Sequence, residues 1–293
     1  MTSCKRLLAQ FALAATLVGT AGLAQAELGD PSTRDWLPAP EGTNLMVSYA
    51  FDLRSSGLYD NGTRVPGAKI GVRGMILRPM TYRKIGGITV QPEAILPLVR
   101  TSYSEPGFKD HKFGVGDITL GMAIWPYENE ETATWFAYEP LITLPTGQYS
   151  ANNADLSAGG NRWTLANDFA FIKGFGESTF LELEYELVLY GRNSNYYGQR
   201  LSQRPTHNFL AMLSTNITPR LAIGGRYKYS TGGSIKLDGA SVPGSRNKVH
   251  ELSLDLTYDL NDHNQLQVLY MHPFKVKNGP RLRGIQARWA YIF

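Results

Sequence analysis

The amino-acid sequence predicts an all-β fold: a transmembrane, antiparallel, up-and-down β-barrel of twelve strands that follows an N-terminal signal peptide. Three observations predict it. Twelve segments alternate apolar and polar residues, their connections alternate between long and short, and the chain ends on three aromatic residues at alternate positions. Alternate residues of a strand share one face. The longer segments reach the roughly 9–11 residues that a lipid-spanning strand needs, whereas strands of soluble proteins average about 5–6.

Residues 1–26 have the organisation of a secretory signal peptide. Lys5 and Arg6 precede an apolar stretch that ends in a small-x-small sequence at residues 24–26. A transmembrane anchor is the alternative, which the Ala-Gln-Ala ending argues against. The only cysteine, Cys4, is removed with this peptide, so the exported chain is predicted to contain no disulfide and no thiolate metal site.

Residues 27–40 contain three prolines and predict an irregular periplasmic lead-in, and residues 41–293 are assigned to the barrel. Loss of the two basic residues of the leader takes the net charge from +4 to +2. No basic run indicates nucleic-acid binding. No phosphate loop or metal-ligand spacing indicates a cofactor, and no apolar stretch after the leader reaches the roughly 18 residues of a spanning helix.

Each of the twelve segments has an apolar face without charge, although Asn167 falls on the apolar face of the sixth. Pro92 and Pro140 lie inside segments, where each removes a ladder hydrogen bond, so we expect bulges there. In chain order the segments are 44–52, 70–76, 88–96, 117–124, 136–144, 164–171, 181–190, 208–214, 221–229, 251–260, 265–270 and 285–293.

The connections support an even number of strands with both chain ends on the short-turn side, as in bacterial outer-membrane barrels. The final connection, Lys277–Pro280, is the exception, because it is short where a long one is expected. The long connections lie around 52–69, 100–112, 145–161, 191–205 and 230–247, and the short ones around 79–84, 126–132, 173–177, 218–219 and 261–264.

In lipid, the apolar faces of such strands point outward and the polar faces enclose a lumen, since a Lys or Arg facing mid-membrane lipid costs about 2–4 kcal/mol. The carboxylates of Glu182, Glu184 and Glu186 would line one wall, either as a path that attracts cations or as part of a salt-bridge and water network that fills the barrel. The predicted lumen residues are Arg73, Glu93, Asp117, Glu139, Asp168, Glu182, Glu184, Glu186, Arg226, Lys228, Asp255 and Arg288.

The chain ends with Trp289, Tyr291 and Phe293 on one face of the last segment. In a membrane barrel these rings form part of the lower aromatic girdle, and such a strand is predicted to be recognised by the barrel-assembly machinery. The last strand of a soluble β-sandwich is the alternative. It is disfavoured because chain ends fray and are usually polar.

Catalysis is not predicted. None of the five histidines is followed two residues later by serine, and the Asp110-His111 and Asp262-His263 pairs are adjacent rather than spaced by one residue. These arrangements do not match the patterns of barrel phospholipases or barrel proteases. No catalytic residue, metal ligand or cofactor is therefore assigned.

Three stretches resemble a bacterial family named for the meta-cleavage pathway of phenol degradation. They are Tyr138–Tyr149, with its Pro-x-Gly-x-Tyr sequence, Gln91–Ala94 and Gly116–Ile118. The resemblance extends over about Gly42–Phe293. It implies an outer-membrane barrel that admits small, often aromatic, hydrophobic compounds, and it transfers no binding residue.

The leading hypothesis is an outer-membrane channel for passive uptake of small organic molecules, with lipid and lipopolysaccharide as its surroundings. The long loops around Tyr59, Tyr103, Tyr149 and Tyr196-Tyr197 would form its entrance. The alternatives are a structural or adhesion barrel with a plugged lumen and, third, an outer-membrane enzyme.

Overall fold

The computed structural model describes residues 31–293, and the predicted signal peptide lies outside them. Twelve long antiparallel strands form the barrel, as the alternation predicted. They are β1 (Asn44–Ser55), β2 (Lys69–Thr81), β3 (Ile88–Glu105), β4 (Thr119–Asn129), β5 (Thr134–Thr143), β6 (Thr164–Phe175), β7 (Thr179–Tyr190), β8 (Thr206–Thr218), β9 (Leu221–Gly232), β10 (Asn247–Asn261), β11 (Asn264–Val276) and β12 (Arg283–Ile292).

Each strand pairs with its neighbours in the chain, and β1 pairs with β12, so the sheet closes on itself. Closure removes every free edge, which a lipid-embedded backbone requires because lipid offers no hydrogen-bond partner. Five connections at one end are tight turns, and the first residue of β1 and the last residue of β12 lie there. We call this the short-turn end, and the opposite end, with the long connections, the long-loop end.

The long connections carry short strands of their own. One small sheet consists of Leu58–Asp60, Thr63–Val65 and Gly279–Pro280. Through this sheet the short last connection pairs with the loop between β1 and β2. A 3₁₀-helix spans Ala151–Leu156. The remaining short strands are Arg83–Ile85, Phe108–Val115, Asn193–Tyr196, Gln199–Gln203, Ile235–Leu237 and Ala240–Ser241. Within residues 31–293, no helix is long and apolar enough to cross a membrane.

Burial is inverted relative to a soluble protein over most of the wall. On β10, Leu252, Leu254 and Leu256 are exposed on the outside, while Glu251 and Asp255 between them are buried inside. Large exposed apolar surface on this scale marks a membrane-facing wall. The order of apolar and polar residues therefore orients these strands.

Strands β1 and β2 are turned the other way from the prediction. Val47, Tyr49 and Phe51 of β1, with Val72 and Ile76 of β2, are buried inside the barrel. Both faces of these two strands contain apolar residues, since the outward face of β2 includes the exposed Met75 and Leu77. Alternation alone does not decide which apolar face meets lipid in such strands.

The bulges expected at Pro92 and Pro140 are absent from the described ladders, because both residues stay in register with their neighbours. The register shift in this region lies between Ile124 and Tyr127, next to Pro126. Asn167 does face outward, and its side-chain oxygen accepts a hydrogen bond from the Tyr138 hydroxyl at 2.9 Å. A partner on the same face thus satisfies this outward polar group.

Candidate functional site: the barrel lumen

The segment Pro31–Pro40, expected as a periplasmic lead-in, enters the short-turn half of the barrel; we call it the plug. The backbone N–H of Arg34 donates to Oε1 of Glu182 at 2.6 Å. The Thr33 hydroxyl donates to Oδ1 of Asp255 at 2.8 Å. Polar residues of the barrel wall thus replace water as partners of the plug backbone and side chains.

Charged contacts hold the plug to strands β9 and β12. Nη1 of Arg226 donates to the Pro31 carbonyl at 2.9 Å, and its Nη2 pairs with Glu251 at 2.9 Å. Arg288 of β12 forms an ion pair with Asp35 of the plug. Buried charge-assisted bonds of this kind are among the strong hydrogen bonds of proteins.

Trp36 is the apolar anchor of the plug. Its side chain is buried in a cluster with Tyr82 and Trp125. Its indole N–H donates to Glu184 at 2.8 Å, and its own carbonyl accepts the Trp125 indole N–H at 3.0 Å. Packing and two hydrogen bonds therefore fix one residue at the centre of the lumen.

Eleven of the twelve predicted lumen residues lie on the inner side of the described structure. Ten of these are buried and Glu186 is half-buried, with Asn208 donating to it. The buried ones are Glu93, Asp117, Glu139, Asp168, Glu182, Glu184, Arg226, Lys228, Asp255 and Arg288.

The twelfth residue, Arg73, does not face the lumen as predicted. It lies on the outer face of β2, its side chain is 54 % exposed, and its Nε pairs with Asp52 at 3.0 Å. The cause is the inverted orientation of β2, whose buried face is apolar.

Most of the acidic lumen residues gather on one wall. Glu139, Asp168 and Glu186 are directly opposite one another on β5, β6 and β7. Glu93 lies on β3 and pairs with Arg78 at 2.8 Å. The triple Glu182, Glu184 and Glu186 therefore belongs to a wider network in which some acids have basic partners and others hold the plug.

The opposite wall, formed by β1 and β2 with parts of β3, β11 and β12, is apolar. We call this surface the apolar wall; it comprises Val47, Tyr49, Phe51, Leu53, Ile70, Val72, Ile76, Val99, Leu269, Met271 and Ala290. At the long-loop end it meets Leu58 and Leu282. At the short-turn end it reaches a cavity of about 240 Å³, lined by Leu45, Met80 and Ala290 and by Arg34 and Asp35 of the plug.

Inward-folded loops cover the long-loop end. The Asp117 carboxylate accepts the backbone N–H groups of Gly147 and Gly160 at 2.7 and 2.8 Å, which ties the β5–β6 loop to the β3–β4 loop. Within the β5–β6 loop, Asp155 is buried and accepts hydrogen bonds from the hydroxyls of Tyr196 at 2.5 Å and Tyr197 at 3.3 Å. Burial raises the pKa of Asp155 to about 7, and the two tyrosine hydroxyls oppose that rise.

Sequence reasoning missed the plug and the apolar wall. The plug has no periodicity, although its Trp36 is a large apolar residue among prolines in a stretch assigned to water. The apolar wall was visible only as the presence of apolar residues on both faces of β2. In the part of the chain that the structure describes, no group of three or more His, Asp or Glu is placed to hold a metal ion.

A closed barrel with exposed apolar outer faces, whose plugged interior has one polar and one apolar wall, defines an outer-membrane β-barrel. The chain belongs to the family described as "Putative MetA-pathway of phenol degradation", whose model matches residues 55–289. The resemblance inferred from the short motifs is thereby confirmed. No curated protein matches the chain.

Solved structures share the fold. The COG4313 outer membrane channel from Pseudomonas putida F1 is 24 % identical with a TM-score of 0.84, over 90 % of this chain and 100 % of that one. The transport unit of the autotransporter AIDA-I from Escherichia coli is 9 % identical with a TM-score of 0.57, over 95 % and 99 %. The Pseudomonas putida toluene transporter TodX is 10 % identical with a TM-score of 0.50, over 91 % of each chain.

Proposed function

We propose that this protein is an outer-membrane channel for passive uptake of small apolar or aromatic molecules. The observation that carries the proposal is the apolar wall, which runs inside the barrel from the long-loop end to the short-turn cavity. A barrel that needed only to be filled could use polar residues here, as the acidic wall does. The description of the Pseudomonas putida relative as an outer membrane channel supports the same class.

The apolar wall would favour ring compounds over sugars of similar size. An aromatic solute that buries roughly 100 Å² of apolar surface gains about 2.5 kcal/mol. A sugar buries hydroxyl groups there, and each unpaired hydroxyl costs free energy. The gain is weak enough for the solute to leave again, as passive transport down a gradient requires.

The test compares uptake by cells that carry the native protein or the double variant F51N/V72N. Phe51 and Val72 are buried in the apolar wall on adjacent strands. We expect labelled phenol to enter about tenfold more slowly in the variant, the equivalent of about 1.4 kcal/mol, with arabinose entry unchanged. The matched control is V65N, because Val65 is 40 % exposed in an outer loop.

Equal phenol uptake by native and F51N/V72N cells, at equal amounts of folded protein, would reject the apolar wall as the route. Heat-modifiable migration on gels reports whether each variant is folded.

The plug favours one second candidate, a structural or adhesion barrel with a closed lumen. Planar-bilayer recordings separate the two, since a permanently closed barrel is silent under every condition. An enzyme remains the third reading, and it predicts turnover of intact lipid or peptide substrates by the purified barrel.

A further inference from the structure

The outward face of β1, β2, β3, β12 and the short strand Phe108–Val115 carries a cluster of cations near the long-loop end. We call it the basic patch; it comprises Arg54, Lys69, Arg73, Arg100, Lys109 and Arg283, all exposed. The strand registers bring them together. Arg73 is opposite Arg100 on β3, Arg54 is opposite Arg283 on β12, and Lys69 and Lys109 both lie opposite Ser104.

One carboxylate lies within the patch. Asp52 pairs with Arg54 at 2.6 Å and with Arg73 at 3.0 Å. Six cations and one anion leave a large positive excess on a small outward surface. Like charges on neighbouring positions of a sheet destabilise it, so the arrangement favours an anion from outside the chain.

The centre of the patch has room for a compact ligand. Gly71 lies at its centre, between Lys69 and Arg73 along β2 and opposite Arg54 and Ser102 on the flanking strands. Above Gly71 there is open space apart from the Ser102 hydroxyl, 2.7 Å from the position of an added Cβ. Neighbouring strands are about 4.8 Å apart and same-face residues about 7 Å apart along a strand, so a group the size of phosphate fits over this glycine.

The height of the patch matches the outer boundary of the membrane. Arg73 is eight residues from the short-turn end of β2 and Arg54 ten from that of β1. At about 3.3 Å per residue and a tilt of about 40°, these positions are roughly 20–25 Å above the short-turn end. The apolar band of outer-membrane barrels is about 25 Å tall, so these positions lie at its upper edge, and their long side chains extend upward to the lipid headgroups.

We propose that the basic patch is a binding site for a phosphorylated glycolipid of the outer leaflet, with a lipid A phosphate above Gly71. Arg54, Arg73 and Arg100 donate to the phosphate oxygens, which suits the planar guanidinium group. The acyl chains lie along the exposed Met75 and Leu77 below. The proposal depends on membrane location and is independent of what the lumen transports.

The experiment measures binding of purified barrel in nonionic detergent by native mass spectrometry. The probes are bisphosphorylated lipid A, the same glycolipid with both phosphates removed, and inorganic phosphate. The test variant is R54Q/R73Q/R100Q. The control is K84Q/R200Q/K236Q, which removes the same charge from exposed positions elsewhere. Heat-modifiable migration checks that both are folded.

We expect bisphosphorylated lipid A to bind the native protein and the control equally, and the test variant at least about tenfold more weakly, because lost charge-assisted bonds weaken binding by about that factor. The dephosphorylated glycolipid should bind poorly to all three. Equal binding of both glycolipids, or an unaffected test variant, would overturn the proposal. Displacement of lipid A by inorganic phosphate at equal concentration would show a site for free anions, and would overturn the lipid assignment.

Discussion

At the scale of single residues, Asp155 shows how burial makes a carboxyl group sensitive to pH near neutrality. It lies in the β5–β6 loop, in contact with the hydroxyls of Tyr196 and Tyr197 from the β7–β8 loop. Removal from water disfavours the charged form, so the pKa rises to about 7. In an opened loop the ordinary value of about 3.9 applies.

This difference predicts that the closed loop is less stable at higher pH. The closed form binds the proton more tightly, so its stability falls as pH rises from about 4 to about 7 and is constant above that. We expect backbone amide exchange in residues 151–157, corrected for intrinsic rates, to be about thirtyfold faster at pH 8 than at pH 5.5. D155N should abolish this dependence, while D60N, at an exposed loop position, should leave it intact. A native protein with equal protection at both pH values would contradict the assignment.

At the scale of elements, the plug is separate from the ladder that holds the barrel together. The twelve strands close through their own hydrogen bonds, and the plug adds contacts only from inside. Local opening of such a segment costs less than global unfolding, because few elements must separate. The plug is therefore the part of the lumen best suited to move when a solute passes.

Deletion of residues 31–37 tests this view. We expect the variant to remain folded and heat-modifiable, because water entering the lumen would solvate Glu182, Glu184 and Arg288 in place of the plug. Single-channel conductance in planar bilayers should rise severalfold over the native protein. E41Q, an exposed change just beyond the plug, should conduct like the native protein. A deletion variant that is folded yet has native conductance would show that the loops alone limit passage.

At the scale of the whole molecule, sequence periodicity predicted strand number, order and closure because lipid imposes one rule on every strand. It oriented β7 and β10 because their polar residues occupy one face only. It failed at Arg73 because the lumen beside β1 and β2 is itself apolar. The apolar face of these strands could therefore point either to the lipid or to the lumen, and alternation does not distinguish the two. The position of the plug could not be predicted from the sequence, since it depends on contacts with residues more than a hundred positions away, such as Glu182 and Asp255.

The last prediction concerns the C-terminal strand, for which the stability of the barrel and its assembly in cells can be measured separately. Strand β12 closes the sheet, and the Phe293 N–H donates to the Asn44 carbonyl at 3.0 Å. The Phe293 ring, however, is 64 % exposed, and its ring contact is with Tyr291 at 5.9 Å. Removing the ring should therefore change the stability of the isolated barrel by less than about 1 kcal/mol.

F293A should refold in detergent with a native melting temperature and yet reach the outer membrane of cells in a clearly lower amount. The reason is that the exposed terminal ring contributes little to internal packing. It is therefore available for recognition by the barrel-assembly machinery. I292A is the control, since Ile292 lies on the other face of β12. If F293A accumulated like the native protein, the aromatic ending would serve only as part of the membrane girdle. If it also failed to refold, its role would lie in the barrel itself.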